Sequence, residues 1–310
     1  MAGRDRTEMT EAATAPTLSP ERVAAFHRDG FTVIEGLTTP EDLERISRVM
    51  ARLYARYDAL ARRRRAWNLG TGGIGEAPEI LEINQTIELE PELEASLTFR
   101  RCQELAAVLL GRDVEYRFDH AIYKPPFNGC ATAWHQDEAY TLDPSLVTAH
   151  FWVPLHEVSV ERGCMQFIPG SHREQVRRHH RLQHLRHAHA LETTDVDTRR
   201  AVACPLRAGD ATVHFPRTLH YTGPNATALP RLAWSLEFGP RRPLPGRVAA
   251  KARLVWRRRP DWRQAGALAV SACSRARRSM WSIFTSGISA QASAVTVAEI
   301  STSGVNPSES

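Results

Sequence analysis

From Asp113 to Pro240 the chain is a succession of short apolar runs, and this pattern restricts the fold more than any other feature. DVEYRFDHAIYKPP, the segment around WHQD, LVTAHFWVPLHEV, GCMQFIPGSH, DATVHFP and RLAWSLEFGP are set off by Gly, Pro, Asn or Asp. Runs of this length between such residues predict strands joined by turns. The first third reads differently. LSPERVAAFHRDGF predicts a helix with Ser19 as N-cap, Pro20 at the first helical position, Val23 and Phe26 on one face, and Gly30 as the stop. FTVIEGL predicts a strand, and TTPEDLERISRVMARLYARYDAL a second amphipathic helix. LEINQTIEL is strand-like, and PELEASLTFRRCQELAAVLLG is helical up to Gly111. Helices first and many short strands afterwards predict an α+β, mainly β chain. The expected architecture is a β-sandwich or jelly-roll barrel with the N-terminal helices packed on one face.

Composition narrows the setting. The chain has 310 residues and a formal charge of +5. From Arg241 onward there are 12 Lys/Arg against 3 Asp/Glu, which leaves the first 240 residues at about −4. The basic character therefore belongs to the tail, and nucleic acid is not an expected partner of the folded part. No apolar run is long enough to cross a membrane. The five cysteines are dispersed without C-x-x-C spacing, which suits reduced, buried thiols in a cytoplasmic protein. Residues 1–17 are expected to be disordered, and 246–310 to form a basic, then Ser/Ala-rich, poorly ordered tail. Residues 172–200 interrupt the strands with a His/Arg-rich insertion that reads as a solvated lid. Oligomeric state is left open.

One strand-like segment carries chemistry. His135 and Asp137 in WHQD are two apart, and in an extended segment such residues point to one side. They can give an imidazole nitrogen and a carboxylate oxygen to one ion. Gln136 should then point away, with Trp134 and Tyr140 as wall or packing residues rather than catalysts. His220 in TLHYTGPN is the best third ligand. His214 is a rival, although its strand-like context favours a packed core histidine. Two histidines and a carboxylate make the facial set of non-haem Fe(II) oxygenases, which leaves three positions open on the metal. A 2-oxo acid could take two and O2 the third. A distal carboxylate on that co-substrate needs a cation, and Arg231 offers a planar fork for it. A hairpin with GPNATALP as its loop would bring the Arg231 strand beside that of His220. Thr222 could add a hydroxyl donor. Lys124 in YKPP either faces the pocket or is a solvated lysine beside a turn.

These segments taken in order resemble the phytanoyl-CoA dioxygenase (PhyH) family. The likeness covers roughly residues 18–245: LSPERVAAFHRDGFTVIEGLTTPEDLERI, then YKPP, WHQD, ERGCMQFIPGSHR, AGDATVHFPRTLHYTGPN and PRLAWSLEF. It implies a double-stranded β-helix, a cupin-like jelly roll with iron at its open end. It also implies His135, Asp137 and His220 as Fe(II) ligands, Arg231 assisted by Thr222 on 2-oxoglutarate, and Trp152 as an aromatic lining of that pocket. The expected activity is a 2-oxoglutarate-dependent dioxygenase reaction consuming O2. It would hydroxylate or otherwise oxidise a small molecule, plausibly a natural-product intermediate. Related halogenases have Ala or Gly where Asp137 stands, so its carboxylate speaks for oxidation rather than halogenation. The competing readings are a cupin-like isomerase or hydrolase that uses no 2-oxoglutarate, and a catalytically silent binding protein.

Overall fold

The structure is a computed structural model, and it describes residues 17–70, 79–140, 147–181 and 190–241. Expectations about the N-terminal stretch up to residue 16, the tail after 241, and His184, His187 and His189 lie outside the described residues.

The chain opens with α1 (Pro20–Asp29), β1 (Phe31–Ile34), α2 (Pro40–Ala55), α3 (Tyr57–Arg62), β2 (Ala66–Asn68), β3 (Leu81–Asn84), α4 (Thr86–Leu89) and α5 (Leu97–Leu110). Strands follow: β4 (Val114–Lys124), β5 (Thr132–His135), β6 (Ala149–Pro154), β7 (Met165–Phe167), β8 (His180–Arg181), β9 (Leu191–Glu192), β10 (Val202–Cys204), β11 (Ala211–His214), β12 (His220–Thr222) and β13 (Arg231–Pro240). Two predicted elements are divided. LEINQTIEL is strand only to Asn84 and then turns into α4, and the helix expected from Pro91 is a short 3-10 turn followed by α5. Asp119 explains the first break. Its buried carboxylate accepts from the Thr86 and Ile87 amides, which ends the strand by holding the start of a helix.

Two antiparallel sheets face each other as a jelly roll. The larger has the order β1-β11-β6-β13-β4-β3-β2, and the smaller has β10-β7-β12-β5. Alternation along the strands sorts two cores. Phe151, Val153, Leu232, Trp234 and Leu236 face α2 and α5 on the outside of the large sheet. Trp152 and Ala233, the residues between them, face inward with Met165 and Phe167 of the small sheet. Among the described residues no helix is long and apolar enough to cross a membrane. Their four cysteines are free and buried.

Gly30 ties the first helix to the barrel. Its φ of +89° permits the left-handed cap of α1, and its amide donates to Phe26 O at 2.8 Å. Its carbonyl accepts from the Phe215 amide at 2.9 Å and the Thr218 hydroxyl at 2.8 Å, fixing the approach to His220. A Cβ here would stand 2.7 Å from Thr218 Oγ1 and would overlap His172 Nδ1, whereas one at Gly36, φ +62°, would meet nothing within 4 Å. Gly36→Ala should therefore cost about 1 kcal/mol of backbone strain alone. Gly30→Ala should cost about 2 kcal/mol more from the forced contacts. Equal losses in urea denaturation would refute the steric account.

Candidate functional site

β12 lies between β7 and β5 in the small sheet, and its register sets His220 directly opposite His135. Their rings are 4.1 Å apart, centroid to centroid. Asp137 is not on the strand. β5 ends at His135 and Asp137 opens a 3-10 turn, so the turn, rather than strand alternation, swings the carboxylate back toward the imidazoles. Asp137 Oδ1 is 3.4 Å from His135 Nε2 and 3.5 Å from His220 Nε2. Cis donors around an octahedral ion with bonds of about 2.1 Å stand roughly 3 Å apart, so the three atoms need only small movements to share a metal. Both tautomers are fixed for this. His135 Nδ1 donates to Ala133 O at 2.8 Å, and His220 Nδ1 donates to Thr218 O at 2.9 Å. That leaves each Nε2 lone pair facing the carboxylate.

The other oxygen of Asp137 has partners that sequence reasoning missed. Oδ2 is 2.7 Å from His150 Nδ1 and 3.2 Å from His214 Nε2. His150 Nε2 lies 2.9 Å from Thr148 Oγ1 and 3.7 Å from Glu237 Oε1. His214 is buried as expected, but it points at Asp137 instead of merely filling the core. Burial opposes the charge on Asp137, yet His220 and the three other imidazoles hold its carboxyl well below the usual range. Burial also opposes charge on His150, but Glu237 and Asp137 outweigh it and push the imidazole up to about 10. For His214, burial and His220 push it down to about 3. A signal for these residues existed. His150 is two residues from Trp152, so an inward Trp152 implies an inward His150.

Arg231 starts β13, which pairs with β4 and β6 in the large sheet and not with β12. The expected hairpin is therefore absent. Residues 223–230 cross from one sheet to the other, so Arg231 approaches Thr222 from across the barrel. Its Nη2 is 3.5 Å from Thr222 Oγ1, and its guanidinium carbon is 5.5 Å from the centre of the Trp152 ring. Arg231 is only 1 % exposed, and its Nε and Nη1 have no partner. Burial pushes its pKa down to about 10. Thr222 is two residues after His220 on the same strand, so both side chains point inward. Lys124 is not a solvated lysine. It is fully buried, and Nζ donates to Thr222 O, Thr222 Oγ1 and Gly223 O at 3.2, 2.9 and 2.8 Å. All of these bonds end on the strand end that carries Thr222, so Lys124 supports that residue.

Gln136 points away from the three donors, as expected. Its Nε2 donates to Arg217 O at 2.7 Å and its Oε1 accepts from the Arg177 amide at 2.8 Å. The insertion is less detached than a solvated lid. The Gln136 amide donates to His179 Nε2 at 3.0 Å, the Thr193 amide donates to Trp134 O at 2.9 Å, and the Leu191 amide donates to Tyr140 Oη at 2.9 Å. Trp134 stacks on Tyr221 at 5.2 Å, a packing role.

The family profile of phytanoyl-CoA dioxygenase (PhyH) matches residues 26–233. Among curated proteins, one from Stutzerimonas stutzeri named "Probable alpha-ketoglutarate-dependent hypophosphite dioxygenase" is 30% identical over 135 residues, 41% of this chain and 46% of its own length. The ectoine dioxygenase of Sphingopyxis alaskensis is 28% identical over 163 residues, 50% of each chain. The chain thus spans about half the length of these two curated relatives. Among solved structures, EvdO2 from Micromonospora carbonacea var. aurantiaca, complexed with 2-oxoglutarate, superposes with a TM-score of 0.61. It is 32% identical, and the match covers 73% of this chain and 92% of EvdO2. With a jelly roll that carries His135, Asp137 and His220 at one point, and a family profile over two thirds of its length, the chain belongs to the phytanoyl-CoA dioxygenase family.

Proposed function

We propose that the protein is an Fe(II)- and 2-oxoglutarate-dependent dioxygenase that oxidises a small molecule. Arg231 is the observation that carries this reading. A guanidinium that is buried with two unpartnered nitrogens is costly unless an anion completes it. It stands beside an inward hydroxyl, Thr222, on the strand that also carries His220. A carboxylate-bearing metal chelator fits both halves of that arrangement. A cupin-like isomerase or hydrolase would have no use for the cation.

In this reading His135 and His220 bind the metal through Nε2, because their Nδ1–H groups are tied to backbone carbonyls. Asp137 binds through Oδ1. Bound there, ferrous iron supplies the activation of O2 coupled to decarboxylation of 2-oxoglutarate to succinate and CO2. Arg231 and Thr222 receive the distal carboxylate. Trp152 lies beneath the guanidinium and keeps its face dry, which strengthens the ion pair. Lys124 holds the Thr222 hydroxyl in place without needing to touch the co-substrate. The apolar inner core around Phe167 shields the metal ligands from bulk water. EvdO2 was solved with 2-oxoglutarate, and this relative supports the same co-substrate here. The substrate class we propose is a natural-product intermediate.

Fe(II)-loaded protein with ascorbate, O2 and 2-oxoglutarate should release succinate, at least slowly, without added substrate. His135→Ala should lose both iron binding and succinate release. Wild-type protein that takes up iron but neither binds 2-oxoglutarate nor makes succinate would sink the assignment. Arg231→Met tests the anchor separately. Its Kd for 2-oxoglutarate should rise on the order of a hundredfold, because truncating one partner of a buried charge pair costs about 2–5 kcal/mol. The melting temperature of the ligand-free variant should stay level or rise, because a buried, half-satisfied charge has been removed. A destabilised variant with normal 2-oxoglutarate affinity would contradict the role.

A further inference from the structure

His150 and His214 come from strands 64 residues apart, yet they address one atom, Asp137 Oδ2. The register makes this possible. In the large sheet His214 pairs with His150, and His150 pairs with Glu237 on its other side. Three neighbouring strands thus present three polar side chains in one row on the inner face, at the height of Asp137. The row has dry support. Phe167 packs on the His214 ring at 5.3 Å, and Phe31, opposite His214 in register, stacks on Phe167 at 4.5 Å.

A carboxylate can bind a metal through one oxygen or through both. With two oxygens on the iron, one of the three positions that the facial set leaves open would be lost. Bidentate 2-oxoglutarate and O2 together require all three. In this structure the choice is made by hydrogen bonds. Oδ1 faces the ligand histidines at 3.4 and 3.5 Å, while Oδ2 is turned toward His150 at 2.7 Å and His214 at 3.2 Å. Rotation of the carboxylate toward two-oxygen binding would break both bonds.

We propose that His150 and His214 are positioning residues that hold Asp137 Oδ2 away from the metal and keep the carboxylate one-coordinate. The proposal rests on Asp137 being a metal ligand, and concerns what its second oxygen does. In this role neither histidine is itself a metal ligand. Because Asp137, His150 and His214 also lie close enough to share an ion, the rival is a second metal bridged by Asp137.

The test uses the full chain and pairs each loss of a donor with a replacement. His150 bonds through Nδ1, whose place the amide of His150→Asn can take. His214 bonds through Nε2, which His214→Gln can imitate. His150→Leu and His214→Leu remove the donors while keeping bulk. Fe(II) and Mn(II) binding by calorimetry, metal stoichiometry, and the ligand-field spectrum of the Co(II) form are read alongside ligand-free melting temperatures. The Leu variants should bind metal roughly ten- to a hundredfold more weakly, the usual effect of removing a ligand's outer partner. They should also bind 2-oxoglutarate more weakly on the metal-loaded protein, although Arg231 is untouched, and their Co(II) spectra should shift. The Asn and Gln variants should return to within about threefold of wild type, with one metal per chain throughout. Asn and Gln variants as weak as the Leu variants would overturn the hydrogen-bond role in favour of ring packing. Leu variants that bind metal and 2-oxoglutarate as wild type would overturn it outright. Two metals in wild type, falling to one in His150→Leu, would establish the bridged site instead. Wild type that binds no metal would defeat the parent reading, an outcome distinct from a clamp that fails on a normal metal site.

Discussion

Asp137 lies where the two sheets face each other, and its oxygens are addressed from opposite sides. The small sheet supplies His135 and His220 toward Oδ1, and the large sheet supplies His150 and His214 toward Oδ2. This one carboxylate thereby links both layers of the barrel through polar contacts in a part-buried place. Such a contact is stabilising only when every partner is held at the correct distance, since a misplaced imidazole leaves a desolvated charge behind. The strand registers, the Gly30 turn and the 3-10 turn after His135 all serve that placement.

The same logic runs the other way at the far end of the pocket. Lys124, Arg162 and Arg231 are all buried there. Arg162 is solvated by the Pro230 and Glu157 carbonyls, with Nε 3.1 Å from Pro230 O and Nη1 2.9 Å from Glu157 O. Lys124 is likewise held by the 222–223 carbonyls and hydroxyl. Arg231 differs from both, because two of its nitrogens have no acceptor. Burial, followed by the positive charge of Arg231, pushes the Lys124 amine down, so this end of the barrel disfavours additional positive charge. The Arg231 guanidinium, with two nitrogens unsatisfied, is a fixed positive charge, and an anionic chelator is a natural counterpart for it.

Much of this was legible in the sequence, for definable reasons. Spacing and order along the chain bring His135, Asp137, His220, Arg231 and Thr222 forward as candidates, and the structure sets the first three at one point and Arg231 beside Thr222. Trp152 came only from the family resemblance, and it lies under the Arg231 guanidinium. What escaped was lateral. His150, His214 and Glu237 meet because β11, β6 and β13 are neighbours with a particular register, and one sequence carries strand periodicity but not which strands pair. The same gap produced the mistaken hairpin. A short loop after a strand is most often a hairpin, but GPNATALP connects the two sheets of a jelly roll. Lys124 stays between a pocket-facing and a solvated reading in the sequence for another reason. A lysine next to two prolines suggests a surface turn, and only its carbonyl partners make its burial possible.

Gln136 sits between His135 and Asp137, and its side chain is turned to other segments. Fully buried, it bridges the Arg217 carbonyl and the Arg177 amide, while its own amide donates to His179. Glu138, one residue past Asp137, holds Arg217 with a two-point ion pair, Nε–Oε2 2.9 Å and Nη2–Oε1 2.6 Å. The backbone carrying His135 and Asp137 is thus clamped to the segment that precedes His220 and to the near half of the His/Arg-rich insertion. A shift of that insertion would pull on Gln136 and, through the Thr193 amide, on the Trp134 carbonyl beside His135. The turn that swings Asp137 back toward His135 leaves the residue between them to couple the mouth of the barrel to its centre. In this chain that residue is an amide, which can accept from one segment and donate to another at the same time.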